Sequence, residues 1–152
     1  KKYTYQPLGL NKEIAIPNTS LFVTTFSLSH VSPYESTAFL VRNGETYVLY
    51  LGDTGADLVE KSNLLETLWT SIAPLVTKGQ LKGIFIEVSF SNSMPDKALF
   101  GHLTPRLLFL ELNKLNDLSK GNLHNTPIYI THIKPCMDCE TKIKQELIQE
   151  AI

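Results

Sequence analysis

The chain has 152 residues, of which 43% are hydrophobic, and its formal net charge is −1 at pH 7. This length allows one domain with a substantial core and is too short for two comfortable domains. The nearly neutral charge predicts no nucleic-acid partner, and no apolar stretch approaches the roughly 20 residues that a membrane-spanning helix needs. Because the first residues contain neither Met nor a signal-like apolar core, we expect the chain to start inside a longer product or to follow processing.

The first part of the chain predicts a lead-in over residues 1–20, with a short strand at Glu13–Ile16, before a main domain over residues 21–152. β-Branched and aromatic residues then predict strands at Leu21–Leu28, Ser36–Arg42 and Thr46–Leu51. Between the last two, Asn43-Gly44 is a strong hairpin signal because both residues tolerate the positive φ of a type I′ turn. The hairpin should therefore place the end of the strand Thr46–Leu51 beside the end of the strand Leu21–Leu28.

A helix is predicted next, because Leu64 to Leu75 carry apolar residues at helical spacing. Ser62 or Asn63 is expected to cap its N-terminus, and Pro74 is expected to bend or shorten its last turn. Trp69 lies on the apolar side and is expected in the core rather than in a ligand site.

Glu87 lies inside the next predicted strand, Lys82–Ser89, whose continuous apolar stretch predicts burial on both faces. A buried carboxylate needs a partner, and the alternatives are an Arg or Lys salt bridge or a histidine that the carboxylate orients. Thr104-Pro105 predicts a helix start, since a capping hydroxyl precedes a proline. His102 therefore lies just ahead of a helix N-terminus, where backbone N–H groups favour anions such as phosphate.

The last predicted strand, Pro127–His132, ends on a histidine, and a final helix is predicted within Cys139–Ile152. His124, in the loop before this strand, is expected on the surface. Cys136 and Cys139 form a Cys-x-x-Cys pair, for which chance spacing, a disulfide or redox pair, and half of a zinc site are the alternatives.

His30, Asp53 and His132 each follow an apolar strand. Carboxylate and imidazole ligands from several strand ends suit Zn²⁺, Mn²⁺ or Fe. Glu87 and His102 add an acid–base pair. The alternative explanation of Asp53, in Gly-Asp-Thr-Gly, is a turn in which the aspartate bonds its own backbone.

Seven motifs of the chain resemble those of the class II cyclic-nucleotide phosphodiesterases, which belong to the metallo-β-lactamase superfamily and are similar in site design to tRNase Z. In chain order they are Leu28–His30, Ser36–Leu40, Leu51–Thr54, Leu68-Trp69, Leu81–Ser89, Leu99–Pro105 and Ile130–Pro135. The fold that this resemblance implies is the α/β class and the αββα sandwich, of which this chain resembles the C-terminal half, a mixed sheet with flanking helices. The implied activity is hydrolysis of 3′,5′-cyclic AMP or cyclic GMP to the 5′-nucleotide by a bridging metal hydroxide.

The same resemblance implies roles for individual residues. His30, Asp53 and His132 match ligands of two divalent metals, which are expected to be zinc, with Mn or Fe as alternatives; Asp53 matches the bridging carboxylate. Glu87 and His102 match the pair that contacts the phosphate and protonates the leaving oxygen. Thr104, in the motif of His102, is assigned with it to substrate binding.

The family hallmark His-x-His-x-Asp-His does not occur in this chain. His30, Asp53 and His132 are too few to hold two metals, so we expect the chain alone to bind metal weakly and to hydrolyse little. It should expose an apolar face that pairs with the missing N-terminal portion of the same protein or in a homodimer.

Two other functions follow as hypotheses. One is a non-catalytic half-domain kept for binding or assembly. The other is an RNA endonuclease of the tRNase Z kind, which the lack of a Lys/Arg cluster disfavours. The sequence leaves a cytoplasmic and a periplasmic location both open.

Overall fold

The computed structural model of the chain describes residues 5–135 and 137–151. Its strands form one six-stranded sheet in which the spatial order follows the order in the chain. The strands are β1 (Glu13–Ala15), β2 (Leu21–Ser29), β3 (Glu35–Asn43), β4 (Thr46–Leu51), β5 (Leu81–Glu87) and β6 (Ile128–Thr131). Neighbours from β1 to β4 pair antiparallel, whereas β5 and β6 run parallel to β4.

The helices are α1 (Asp57–Glu60), α2 (Leu64–Thr77), α3 (Pro105–Leu118) and α4 (Cys139–Glu150), with 3-10 turns at Asp96–Ala98 and Asn122–Asn125. The buried sides of α2 and α3 share one core with the sheet. The predicted mixed sheet with flanking helices is thus confirmed. In the described part of the chain, the helices are too short or too polar to cross a lipid bilayer.

The two faces of the sheet differ because side chains alternate along each strand. On the helix side, Leu28, Leu49, Ile84 and Ile86 are fully buried. On the other side an aromatic row crosses β3 to β6 in register. Its members are Phe39, Tyr50, Phe85 and Tyr129, and Phe85 stacks on Tyr129 with ring centroids 4.6 Å apart.

This aromatic row is only half covered. Tyr50 is 48% and Tyr129 47% exposed, and Phe85 is partly exposed as well. The expected burial of β5 on both faces therefore holds on the helix side, where Ile84 and Ile86 lie. It is wrong on the other side, where Phe85 is partly exposed. The expected exposed apolar face is present as this row.

The N-terminus of α2 differs from the prediction. Asn63 occupies the cap position, but its side chain makes no capping hydrogen bond. The cap comes from Asp57 instead, whose carboxylate accepts hydrogen bonds from the backbone of Leu65 and Glu66 at 3.2 and 2.9 Å. Ser62 donates its hydroxyl to the same carboxylate. The cap thus arrives from the short helix α1, which the sequence pattern did not predict.

Other local predictions are mostly confirmed. Trp69 is fully buried. Thr104 caps α3, accepting a hydrogen bond from the Leu107 backbone at 3.4 Å. Pro74 does not shorten α2, which continues to Thr77.

Two further predictions on segments of the chain are not tested by the structure. The boundary at residue 20 stays a prediction, although β1 extends the sheet of the main domain. The prediction for the Cys-x-x-Cys pair includes Cys136, which lies outside the described residues.

Candidate active site

One edge of the sheet collects the carboxyl ends of β2, β4, β5 and β6, as their pairing directions require. We call it the site edge. His30 follows β2, Asp53 follows β4, Glu87 ends β5 and His132 follows β6, while His102 arrives in the loop before α3. Ligands of open α/β sheets bind outside the carboxyl ends of the strands. The strand-end pattern seen in the sequence is therefore a real juxtaposition.

His30, Asp53 and His102 form a compact group of metal-ligand types. One donor atom from each lies within 4.8 Å of the donor atoms of the other two. His30 Nδ1 lies 3.0 Å from the carbonyl oxygen of Gly101, so this nitrogen carries a proton and donates it. Fixing the proton on Nδ1 leaves Nε2 of His30 with a free lone pair, which is the usual arrangement for a metal-binding histidine.

Glu87 is the partner of His102. Its Oε1 accepts a hydrogen bond from His102 Nδ1 at 2.8 Å and further bonds from the backbone N–H of Leu103 and Thr54. Both side chains of the pair are buried. The structure therefore selects the histidine over an Arg or Lys among the alternatives for this carboxylate. His102 keeps Nε2 for other contacts.

The second oxygen of Glu87 is different. Within residues 5–135 and 137–151, Oε2 is buried and has no hydrogen-bond partner. A buried acceptor without a donor marks a place where a water molecule, a proton or a ligand completes the structure. The site is thus built around a carboxylate that is only half satisfied by the protein.

His132 pairs with Asp53. Its Nδ1 lies 3.2 Å from Asp53 Oδ1, and both side chains are partly exposed. Lys134 donates to Nε2 of the same ring at 2.7 Å. His132 is thus tied to Asp53 by a hydrogen bond, whereas the compact group of donor atoms found among the described residues consists of His30, Asp53 and His102.

Ser89 is a site residue that sequence reasoning missed. Its buried hydroxyl donates to the carbonyl of His132 at 3.1 Å and lies 3.2 Å from His102 Nδ1. Its own carbonyl accepts from the Lys134 backbone. Glu87 and Ser89 are two residues apart in an extended segment and so share one side, which is the signal that could have identified it.

Two loops at the site edge touch each other through strained backbone. Val31 has a φ of +55° and Phe100 a φ of +49°. Such angles are rare for bulky or β-branched residues and concentrate at functional sites. A Cβ added to Gly101 would lie 2.5 Å from the Val31 nitrogen, so the two loops meet backbone to backbone.

The remaining predicted residues lie differently. Thr104 is buried and its hydroxyl caps α3, so its assignment to substrate binding stays a prediction. His124 is exposed, as predicted, and its ring bonds the carbonyl of Gly121. It belongs to the loop before β6, at the opposite end of that strand from His132.

The donor set fits divalent metal binding in part. Donor atoms of His30 and His102 lie close to the Asp53 carboxylate, and His132 Nδ1 lies 3.2 Å from it, so the donor types suit one ion of the zinc type. A second ion sharing Asp53 would find too few ligands among the described residues. Among the described residues, this edge is where the chain offers a group of ligands for a divalent ion.

The chain resembles a defined set of known proteins. A profile of the family described as cAMP phosphodiesterases class-II matches residues 1–149. The 3′,5′-cyclic-nucleotide phosphodiesterase of Aliivibrio fischeri is 44% identical over 97% of this chain. The probable 3′,5′-cyclic-nucleotide phosphodiesterase of Yersinia pestis is 38% identical over 97% of it. These alignments cover 46% and 43% of the two relatives, so the chain spans less than half of their length.

Solved structures agree on the fold. Unliganded yeast PDE1 superposes with a TM-score of 0.85 and 28% identity, over 95% of this chain and 44% of that one. The metallo-beta-lactamase fold protein YhfI from Bacillus subtilis superposes with a TM-score of 0.61 and 14% identity, over 96% of this chain and 52% of that one. The second likeness concerns the fold alone, and together they confirm the predicted metallo-β-lactamase-like architecture.

Proposed function

This chain belongs to the class II cyclic-nucleotide phosphodiesterases, and we propose that it supplies one part of an active site that hydrolyses a 3′,5′-cyclic nucleotide to the 5′-nucleotide. Cyclic AMP and cyclic GMP are the proposed substrates. The observation that carries the proposal is the convergence of His30, Asp53, Glu87, His102 and His132 at one sheet edge. His30, Asp53 and His132 are residue types that bind metals, and Glu87 and His102 form a buried acid–base pair.

We assign His30, Asp53 and His132 as the metal ligands that this chain contributes. When bound, divalent ions stabilise negative charge on phosphoryl oxygens and lower the pKa of water. Zinc suits the donor types best, with manganese or iron as alternatives. Gly101 and Ser89 support these ligands by holding the His30 ring and the His132 backbone in place.

His102 is assigned as the residue that protonates the leaving oxygen. Glu87 accepts its Nδ1–H and fixes the ring, so the proton for the substrate comes from Nε2. As the oxygen of a water molecule bonds to phosphorus and the bond between phosphorus and the 3′-oxygen breaks, the 3′-oxygen takes the proton from Nε2 and leaves as a hydroxyl, and the proton that the water loses restores that of His102. The nucleotide then keeps its phosphate at the 5′ position.

A ligand role is the second candidate for His102, because its donor atom lies in the same group as those of His30 and Asp53. Metal content of purified His102→Gln and His30→Gln variants separates the two roles. An acid role predicts full metal content and lost turnover in His102→Gln, with metal loss in His30→Gln. Metal loss in both variants assigns His102 as a ligand.

We propose that the aromatic row is covered by the segment that the longer relatives have and this chain does not span. Phe39, Tyr50, Phe85 and Tyr129 form a flat apolar surface across four strands, and such surfaces mark interfaces. The same segment would bring the metal ligands that this chain lacks. A second copy of the chain is the competing occupant, and sedimentation of the chain alone and joined to that segment distinguishes them.

The test of the function compares this chain alone with the assembled protein, by which we mean the chain joined to the segment that its relatives add. We expect cyclic AMP or cyclic GMP hydrolysis only from the assembled protein, with a loss of about 100-fold or more in Asp53→Ala. An inactive assembled protein that still folds would favour the non-catalytic half-domain. Cleavage of a precursor tRNA instead would favour the nuclease hypothesis.

A further inference from the structure

We infer that Phe100 and Val31 form the subsite for the nucleobase, with the Phe100 ring stacking on a purine. The inference rests on the proposed function, since it assigns the base of the same cyclic nucleotide whose phosphate meets His102. Neither residue is used by the chemistry proposed above. Three observations carry the inference: exposure, backbone conformation and position.

The exposure of Phe100 is unusual for its surroundings. Its side chain is 67% exposed, whereas Leu99 before it and Leu103 after it are fully buried and His102 is buried too. Val31, in the loop that contacts Gly101, is 38% exposed. A segment that buries its other large side chains thus presents one aromatic ring to solvent beside the site.

The backbone conformation of Phe100 is unfavourable for a phenylalanine. A φ of +49° is adopted readily by glycine and asparagine but not by an aromatic residue. Because the ring is exposed in the described part of the chain, burial of apolar surface does not offset the free energy of this strain. Strain of this kind persists where function requires the side chain.

The position of Phe100 suits the base rather than the phosphate. The next residue, Gly101, binds the His30 ring through its carbonyl, so this loop is fixed against the ligand cluster. Phe100 is two residues from His102, which limits the separation of their Cα atoms to about 7.6 Å. In a 3′,5′-cyclic nucleotide the base projects from the ribose carbon away from the fused phosphate ring. A phosphate at His102 therefore leaves the base to be received at the rim of the site.

Purines present a flat π-face that stacks on aromatic side chains, and such stacking does not depend on which base is bound. Removing one stacking aromatic side chain typically weakens binding by about 5- to 150-fold. The same substitution should leave the affinity for a base-free sugar phosphate unchanged.

The test measures equilibrium binding of 5′-AMP and of ribose 5-phosphate to the assembled protein. Phe100→Ala should weaken 5′-AMP binding by about 5- to 150-fold and leave ribose 5-phosphate unchanged. Phe100→Tyr should retain the wild-type preference for 5′-AMP. The matched control is Leu118→Ala, which removes an exposed apolar side chain at the far end of α3 and should change neither affinity. Equal weakening for both ligands, or a wild type that binds both equally, overturns the subsite.

Stability separates a binding role from a structural one. Phe100→Gly removes the ring and relieves the positive φ, so its unfolding temperature should equal or exceed that of the wild type. A clear fall in the unfolding temperature would show that the segment of the longer protein, or the fold itself, buries this ring. That result overturns the proposal.

Turnover distinguishes failure of the subsite from failure of the proposed function. The substrates are cyclic AMP and base-free ribose 3′,5′-cyclic phosphate. If both substrates are hydrolysed and Phe100→Ala lowers both rates by the same factor, the proposed subsite is refuted and the proposed phosphodiesterase activity is retained. If 5′-AMP binding depends on Phe100 but neither substrate is hydrolysed, the proposed subsite is supported and the proposed reaction is refuted.

Discussion

The two ends of the sheet use the same residue type for different purposes. Gly101, at the site edge, and Gly121, at the opposite end before β6, have nearly the same φ, +75° and +79°. Around Gly121 a Cβ would meet nothing within 4 Å, whereas at Gly101 it would meet the backbone of Val31 and the ring of His30. Glycine therefore permits a turn at one end and, at the other, also permits two loops to touch.

Burial of polar groups distinguishes the ends as well. Thr54, Glu87, Ser89 and His102 are all buried at the site edge. At the opposite end, Ser119 and Thr126 are buried as well but carry no charge, and the hairpin at Asn43-Gly44 is exposed. Burial is more costly for ionisable groups such as Glu87 and His102 than for hydroxyls, so the site edge is the end where burial has the larger free-energy cost.

The largest expected effect comes from removing the buried carboxylate. Glu87→Ala leaves His102 and two backbone N–H groups without their acceptor and should cost about 3–5 kcal/mol of unfolding free energy. Glu45→Ala, at the exposed hairpin of the other end, should stay within about 0.5 kcal/mol. Urea denaturation of both variants provides the measurement, and equal losses would erase the distinction between the ends.

The glycine pair isolates the close approach of the two loops. Gly121→Ala should cost about 1 kcal/mol because only the positive φ is strained. Gly101→Ala carries the same strain and also forces Val31 and His30 away, which adds about 1–3 kcal/mol. Thermal unfolding checks the stability difference, and metal binding should weaken in Gly101→Ala alone. Identical behaviour of the two variants would contradict the contact.

Ser89 should show a smaller effect. Ser89→Ala removes the hydroxyl that ties the His132 carbonyl to the end of β5, at a cost of about 1 kcal/mol. Ser71→Ala, on the exposed side of α2, is the control and should change the unfolding free energy by less than about 0.5 kcal/mol. Chemical denaturation compares the two, and turnover of the assembled protein should fall only in Ser89→Ala. Unchanged turnover there would remove Ser89 from the site.

The smallest effect concerns an ion pair between β1 and β3. The hydrogen bond from Arg42 lowers the pKa of Glu13 below its ordinary value of 4.5. The pair therefore contributes stability that is fully present above the unfolded pKa and is lost as pH falls through the folded value. The difference in unfolding free energy between wild type and Glu13→Gln should shrink on acidification below about pH 4.5. A difference that stays constant over this range would contradict it.

Much of the site edge is predictable because alternation and turn chemistry fix it. The strands ending near His30 and Asp53 follow from β-branched runs and the Asn43-Gly44 hairpin, which set direction and register. His132 follows from the same reasoning for β6.

What escaped prediction depends on contacts distant in the chain. Asp57 caps α2 from a separate turn, and the Ser89 hydroxyl reaches the carbonyl of His132, which is 43 residues later in the chain. The positive φ of Val31 and Phe100 opposes their intrinsic preference, so it arises from tertiary contacts that no local pattern encodes.

The order of the strands has a consequence for synthesis on the ribosome. Each strand lies beside the one made just before it, so the sheet can grow by addition at one edge, with no later strand inserted between earlier ones. The antiparallel pairs from β1 to β4 close short loops and form early, whereas β5 and β6 join the sheet across long connections that contain helices. His132 follows the last strand to join. The last of the metal ligands proposed for this chain is therefore synthesised only after the strands that carry it and its partners.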